Sequence, residues 1–172
     1  MKVKIKRLSE NAVIPKYSLE GDAAQDLTAV SKKYDEFGNV HYGTGLAFAI
    51  PDGYLGLLFP RSSNAKKDLI LSNSVGVLDS NYRGEVSFKF KPSVVLYDNM
   101  GIAPQGKLGI DGSPFTDIVV PTVKNGLDFQ EYEIGDRIGQ IIILPYPKIE
   151  FIEVDELGET NRGDGGYGST GK

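Results

Sequence analysis

The chain has 172 residues, one domain's worth, with 40% hydrophobic and 24% charged residues, the balance of an ordinary soluble protein. It holds no cysteine, which excludes disulfides, zinc ribbons and thiol catalysis. Its net charge of −4 argues against non-specific nucleic-acid binding, which depends on clustered Lys and Arg.

In chain order the dominant hydrophobic period is two. Val3-Lys-Ile5-Lys reads as a strand with one apolar face. The opening MKVKIKRL lacks the hydrophobic run of a secretory signal, and no apolar stretch approaches the ~20 residues of a membrane span. The expectation is a cytoplasmic protein with no membrane and no direct nucleic-acid partner. His41, the single histidine, reads as an exposed strand residue, with a base or metal ligand as the alternative. GTGLAFAIP and GYLGLLFP are further β-like runs bounded by Gly and Pro.

PRSSNAKKDLIL holds the one plausible helix, with Ser62 or Ser63 as a good N-cap and a turn or two to follow. With Arg61 just before it, that segment is either a plain connection between strands or an anion site. SNSVGVLDSNYRGEVSF sets Asn73 and Asp79 around a small-residue turn. It predicts a hairpin whose backbone groups face outward to a planar ligand, with Asp79 at its edge within reach of a water. The plainer reading is a solvated turn Asp and a packed Tyr82. Val86-Ser-Phe88-Lys-Phe90-Lys alternates again.

Residues 92–126 break every few positions at Gly or Pro, as an insertion of small hairpins or an irregular surface module does. DRIGQIIILPYP and KIEFIEV are the last β-like runs. From Gly158 onward the chain is polar and glycine-rich, a flexible arm. Its GYGSTGK spells most of a phosphate-binding P-loop, but neither a Ser/Thr nor a helix follows Lys172, so that reading fails on context. The 21 glycines and 9 prolines that punctuate the strands predict an all-β sandwich or barrel without internal repeats.

Five segments, in order GDAAQDLTA, PRSS, GVLDSNYRGEV, GDRIGQIIILP and RGDGGYGSTG, resemble the five motifs of the all-β, homotrimeric dUTPases. The resemblance covers nearly the whole chain except residues 92–126. It implies a jelly-roll-like β-barrel with one short helix: a core over residues 1–157, a small inserted module at 92–126, and an arm over 158–172. It also implies a homotrimer with composite active sites that cleaves dUTP to dUMP and pyrophosphate, with Mg²⁺ as cofactor.

Carried onto matching positions, the resemblance makes Asp79 the carboxylate that orients and deprotonates the attacking water, with Gln140 beside that water and the phosphates. Arg61, Ser62 and Ser63 would hold phosphates, and Asp26 would hold the metal through its waters. The Asn73 amide and the backbone near Gly76 and Val77 would read uracil, while Tyr82 lies against the deoxyribose. In the arm, Arg162 would meet the γ-phosphate and Tyr167 would stack on uracil where most members have Phe. Gly165, Gly166 and Gly168 would allow close backbone approach, and Ser169 and Thr170 would add hydroxyl donors.

The sequence departs from the family at Ala24-Gln25, where Gly-Tyr is common, and at Gly139, where Ala is usual. The insert is similar to those of prophage-encoded dUTPases of Gram-positive bacteria, some of which bind a repressor protein. Here it is either such an interface or a solvent-facing decoration. The alternatives within this fold are a nucleotide-gated regulator with little turnover and a dCTP deaminase. The Asp79–Tyr82 spacing and the complete fifth motif favour hydrolysis.

Overall fold

The computed structural model describes residues 1–93 and 130–166. Residues 94–126 of the insert, together with Tyr167, Gly168, Ser169 and Thr170, lie outside them. The strands are β1 (Lys4–Arg7), β2 (Gln25–Thr28), β3 (Ser31–Tyr34), β4 (Val40–Gly43), β5 (Leu46–Ala49), β6 (Tyr54–Phe59), β7 (Leu69–Leu71), β8 (Gly76–Leu78), β9 (Ser87–Pro92) and β10 (Arg137–Pro145). They form a β1-β5 pair and two four-stranded sheets, ordered β2-β10-β6-β8 and β3-β4-β9-β7. The fold is all-β. Its described ladders do not close into a ring; the two larger sheets instead share one apolar core.

The alternation in the sequence predicts the faces well. Along β9, Phe88 and Phe90 are buried while Ser87, Lys89 and Lys91 face out. Tyr42 of β4 meets the ring of Phe90 edge-on at 5.9 Å and that of Tyr132 at 6.0 Å. Its buried hydroxyl donates to the Tyr132 carbonyl oxygen at 2.8 Å. Leu27, Leu58, Ile138 and Ile141 complete the core from the facing sheet.

Gly139 explains its own departure from the family. A Cβ built there would run into the Phe88 ring from the opposite sheet, beside the register shift between Arg137 and Gly139. The large ring therefore fills the space that a methyl would take. Gly139→Ala should lose about 1–3 kcal/mol through overpacking, read as a lower denaturant midpoint. An unchanged midpoint would mean that Phe88 can move aside.

Three expectations need correction. The helix is a five-residue 3₁₀ turn, Ser62–Lys66. Arg61, extended at φ −83 and ψ 158, takes the cap position, so neither Ser62 nor Ser63 caps it, and no side chain does. KIEFIEV forms no strand: with no neighbouring strand to pair with among the described residues, Ile149, Phe151, Ile152 and Val154 stand exposed. The third concerns β7 and β8, which belong to different sheets, so the hairpin between them is splayed open.

His41 departs from expectation as well, being neither exposed nor alone. It is half-buried, and its Nε2 lies 3.2 Å from Asp35 Oδ2. The turn joining β3 to β4 is organised by Asp35, which accepts from the Phe37 and Asn39 backbone, the Asn39 side chain and Lys89 Nζ. The Asn39 side-chain bond, seconded by its backbone N–H and by Lys89 and His41, holds the Asp35 carboxyl well below the usual carboxylate range, against the opposing effect of burial. A depressed folded-state pKa means that the stabilising contribution is full above the unfolded value of ~3.9 and is lost as pH falls toward the folded one. Asp35→Asn should therefore flatten the acid limb of the stability curve below about pH 4. Parallel acid limbs in variant and native protein would contradict this.

Candidate active site

Three neighbouring strands bring one set of polar side chains together. Across the sheet, Asp26 of β2 pairs with Gln140 of β10, which pairs in turn with Phe59 at the end of β6. The chain continues from Phe59 into Pro60 and the 3₁₀ turn. Gln140 Nε2 donates to the Pro60 carbonyl oxygen at 3.2 Å. Arg61 Nε donates to Asp26 Oδ1 at 2.7 Å and its Nη1 to Ser63 Oγ at 3.1 Å. Arg137 Nη1 donates to the other oxygen of Asp26, Oδ2, at 2.9 Å.

The core holds this corner in place. Glu131 accepts from Lys32 Nζ and from the Tyr34 hydroxyl, both at 2.7 Å, fixing the segment that leads into Tyr132. The Tyr132 hydroxyl donates to Asn64 Oδ1 at 3.0 Å, and Asn64 Nδ2 donates to the Leu69 carbonyl oxygen at 2.8 Å. Lys67 Nζ closes the far end of the turn on the Glu131 carbonyl oxygen at 2.7 Å. The 3₁₀ turn thus hangs from a buried tyrosine. Its cationic character comes from guanidinium groups rather than from a helix dipole, which five residues cannot supply.

A guanidinium pair oriented by one carboxylate, with the Ser63 hydroxyl beside it, suits a polyphosphate. Among the described residues, no group of three or more His, Cys, Asp or Glu side chains gathers as a metal cage. Each Asp26 oxygen accepts one guanidinium N–H and keeps a further lone pair. That donor set fits a hydrated Mg²⁺ carried mainly by ligand phosphates, and does not fit direct coordination by protein.

A second set lies on the segment around β8. Between β7 and β8, Ser74 has φ 59, the one non-glycine described residue with positive φ, and its N–H donates to the Leu71 carbonyl oxygen at 3.1 Å. Gly76 packs so closely that a Cβ would lie 3.0 Å from Leu58 Cβ. Val77 faces outward and Leu78 inward. A cavity of about 260 Å³ opens beside the splayed hairpin, with Asn73 and Gly76 in its wall and Leu58, Leu71 and Phe88 beneath. Asp79 is exposed, and its carbonyl oxygen accepts from the Tyr82 N–H at 3.1 Å. The Tyr82 ring lies over Gly84, its hydroxyl donating to the Glu85 carbonyl oxygen at 3.1 Å.

Within one chain, Asp79 of the second set lies far from the first set. Leu78 pairs with Gly56, so Asp79 falls near the Leu55 end of β6, whereas Gln140 pairs with Phe59. That separation is about 13 Å along the strand, and β8 and β10 flank β6 on opposite sides. Arg162 joins neither set. Its Nε donates to the Gly165 carbonyl oxygen at 2.8 Å, and among the described residues the hydrogen bonds of 147–166 are all local.

Comparison with known proteins agrees with this architecture. A family model for dUTPase matches residues 10–93. The deoxyuridine 5'-triphosphate nucleotidohydrolase of Finegoldia magna is 36% identical, with 99% of each chain covered. That of Hydrogenobaculum is 33% identical, again over 99% of each chain. The chain belongs to the dUTPase family. Among solved structures, the dUTPase of Staphylococcus bacteriophage 80alpha with dUpNHpp superposes with a TM-score of 0.69 at 26% identity, covering 99% of each chain.

Within this dUTPase, Arg137 is the residue that the sequence reading missed. A lone Arg in DRIGQ has no local signal. Its partner Asp26 lies on the neighbouring strand, across a ladder that only the fold reveals. No helix among the described residues is long and apolar enough to cross a membrane.

Proposed function

We propose that this dUTPase cleaves dUTP to dUMP and pyrophosphate by water attack on the α-phosphorus. The observation that carries the reading is the corner where Arg61, Arg137, Ser63 and Gln140 converge around Asp26. Arg61, Arg137, Ser62 and Ser63 hold the β- and γ-phosphates, and Gln140 orients the water and the α-phosphate. Asp79 accepts the water's proton as the P–O bond to the leaving pyrophosphate breaks. Asn73 and the backbone of Gly76 and Val77 read the base, and Tyr82 closes over the sugar. Asp26 would hold Mg²⁺ through water, and bound Mg²⁺ would neutralise phosphate charge. The arm, through Arg162, Tyr167, Gly168, Ser169 and Thr170, closes as a lid.

The distance between Asp79 and Gln140 supports sites shared between copies; that the copies number three is what the family resemblance implies. The segment that leads into the arm adds a second argument. Ile149, Phe151, Ile152, Val154 and Leu157 stand exposed and alternate with Glu150, Glu153, Asp155 and Glu156. A groove of about 350 Å³ includes Val3, Ile5, Phe48 and Ile141, beside the Lys-rich β1. Apolar and charge complementarity match residues 149–157 of one copy to this groove on another.

Pyrophosphate release with Mg²⁺ from dUTP, dTTP, dCTP and UTP tests the reaction. Selective dUTP cleavage is expected. Tight dUTP binding without turnover would instead indicate a nucleotide-gated regulator, and ammonia from dCTP a deaminase.

The insert carries the second proposed role, binding a repressor protein. Both of its flanks meet at Asp68: the Ser93 N–H donates to the Asp68 carbonyl oxygen, and the Asp68 N–H donates to the Gln130 carbonyl oxygen, both at 2.8 Å. Chain ends this close allow residues 94–129 to be replaced by a short Gly/Ser linker with the core preserved. The shortened protein should cleave dUTP at a near-native rate and lose repressor binding, measured by calorimetry. Undiminished binding would remove the role from the insert.

A further inference from the structure

The cavity beside Asn73 and Gly76 holds two polar side chains that the proposed reaction does not use. One is Ser72, whose Oγ is sealed from solvent with no hydrogen-bond partner. Buried hydroxyls without partners are rare, because each forfeits its bonds to water on folding. The other is His41, which enters the wall from β4.

Asp35 fixes how His41 is used. With Nε2 donating to the Asp35 carboxylate, the neutral ring keeps Nδ1 as an acceptor. Lys89, also in the wall, is engaged by the same carboxylate. The wall therefore offers one acceptor from His41 and one hydroxyl from Ser72, beside the Asn73 amide. Leu58, Leu71 and Phe88 give it an apolar floor suited to the face of a small planar ring.

We propose that Ser72 and His41 are specificity-determining residues that read the edge of the pyrimidine base alongside Asn73. The inference rests on the dUTP reading of the site and deepens it. Uracil presents two carbonyl acceptors flanking an N3–H donor. The Ser72 hydroxyl matches a carbonyl, and the His41 acceptor matches the N3–H. Cytosine reverses this at N3, which becomes an acceptor, and replaces one carbonyl with an amino group. The Ser72 hydroxyl can turn to accept from that amino group, but the His41 acceptor then faces the acceptor N3, and a site built for N3–H pairing rejects the mismatched base.

Ser72→Ala gives a test that a purely structural role would fail. Removing an orphaned hydroxyl should leave the melting temperature of the ligand-free protein unchanged or raised. The same change should weaken binding of dUpNHpp, a non-hydrolysable dUTP analogue, about 3–10-fold by calorimetry. His41→Phe keeps a ring and removes both nitrogens, and should narrow the preference for dUTP over dCTP by at least about tenfold. A lower melting temperature with unchanged dUpNHpp affinity in Ser72→Ala, together with an undiminished base preference in His41→Phe, would overturn the proposal. The native protein separates the two levels of inference. If it cleaves dUTP normally while both variants bind as it does, only this proposal falls; if it neither binds nor cleaves dUTP, the parent reading falls.

Discussion

An Asp79→Asn protein mixed with an Arg61→Ala protein should recover dUTP hydrolysis that neither shows alone. Each change alone removes a group proposed to act in the transition state. Loss of a general base costs typically 10²–10⁴-fold, and loss of a preorganised charged donor about 10²–10³-fold. Asp79 sits toward the Leu55 end of β6, while Arg61 follows Phe59 at the other end. With β8 and β10 on opposite sides of β6, one chain holds Asp79 and Arg61 at separate places on the sheet. In a cyclic assembly, each site would take Asp79 from one copy and Arg61 from a neighbour. Random one-to-one mixing then leaves about a quarter of the sites with both native groups, by the combinatorics of a closed ring. The variants are well chosen for folding, because Asp26 retains Arg137 when Arg61 is lost and Asp79 is exposed. The check is a turnover measurement on the pair after co-refolding. Activity that stays at the level of the separate variants would place both groups in a site made by one chain.

The sequence made legible whatever depends on local pattern. Lys89, flanked by Phe88 and Phe90, declared the two faces of β9, because a strand with one side in a core must alternate. The same rule misled at KIEFIEV, where Ile149 and Phe151 alternate with charge but meet no partner strand among the described residues. Alternation states that a face wants burial, not where the covering surface comes from. The splayed β7–β8 connection was hidden for a related reason. Small residues announced a turn, but only the packing of Gly76 on Leu58 commits β8 to the other sheet. The motif residues could be read off their segments. Their supports were not visible: Asp35 under His41, Tyr132 under Asn64 and Arg137 on Asp26 are all meetings across the fold. Long-range contacts of this kind leave no period in the chain.

Removing residues 162–172 should reduce kcat/KM for dUTP by about 10²–10³-fold or more, the scale of losing preorganised donors to the phosphates. The core should hardly notice. After the Tyr146 N–H donates to the Gly53 carbonyl oxygen, hydrogen bonds among the described residues run only to near neighbours, and residues 147–164 are exposed. Backbone with so few ties adds little to global stability, so the unfolding free energy should stay within the roughly ±0.5 kcal/mol typical of surface changes, and the melting midpoint should hardly move. This pairing of outcomes separates a lid from a structural strap. A strap would lower the midpoint and the activity together, whereas a lid lowers the activity alone. Arg162 supplies the sharper version of the test. Its Nε is now occupied by the Gly165 carbonyl oxygen, a weak local bond that a γ-phosphate, with its higher charge, would readily displace. Arg162→Ala should therefore account for most of the loss with dUTP. With dUDP, which has no γ-phosphate, it should cost much less. Equal losses on both nucleotides would mean that Arg162 orders the arm without touching the terminal phosphate.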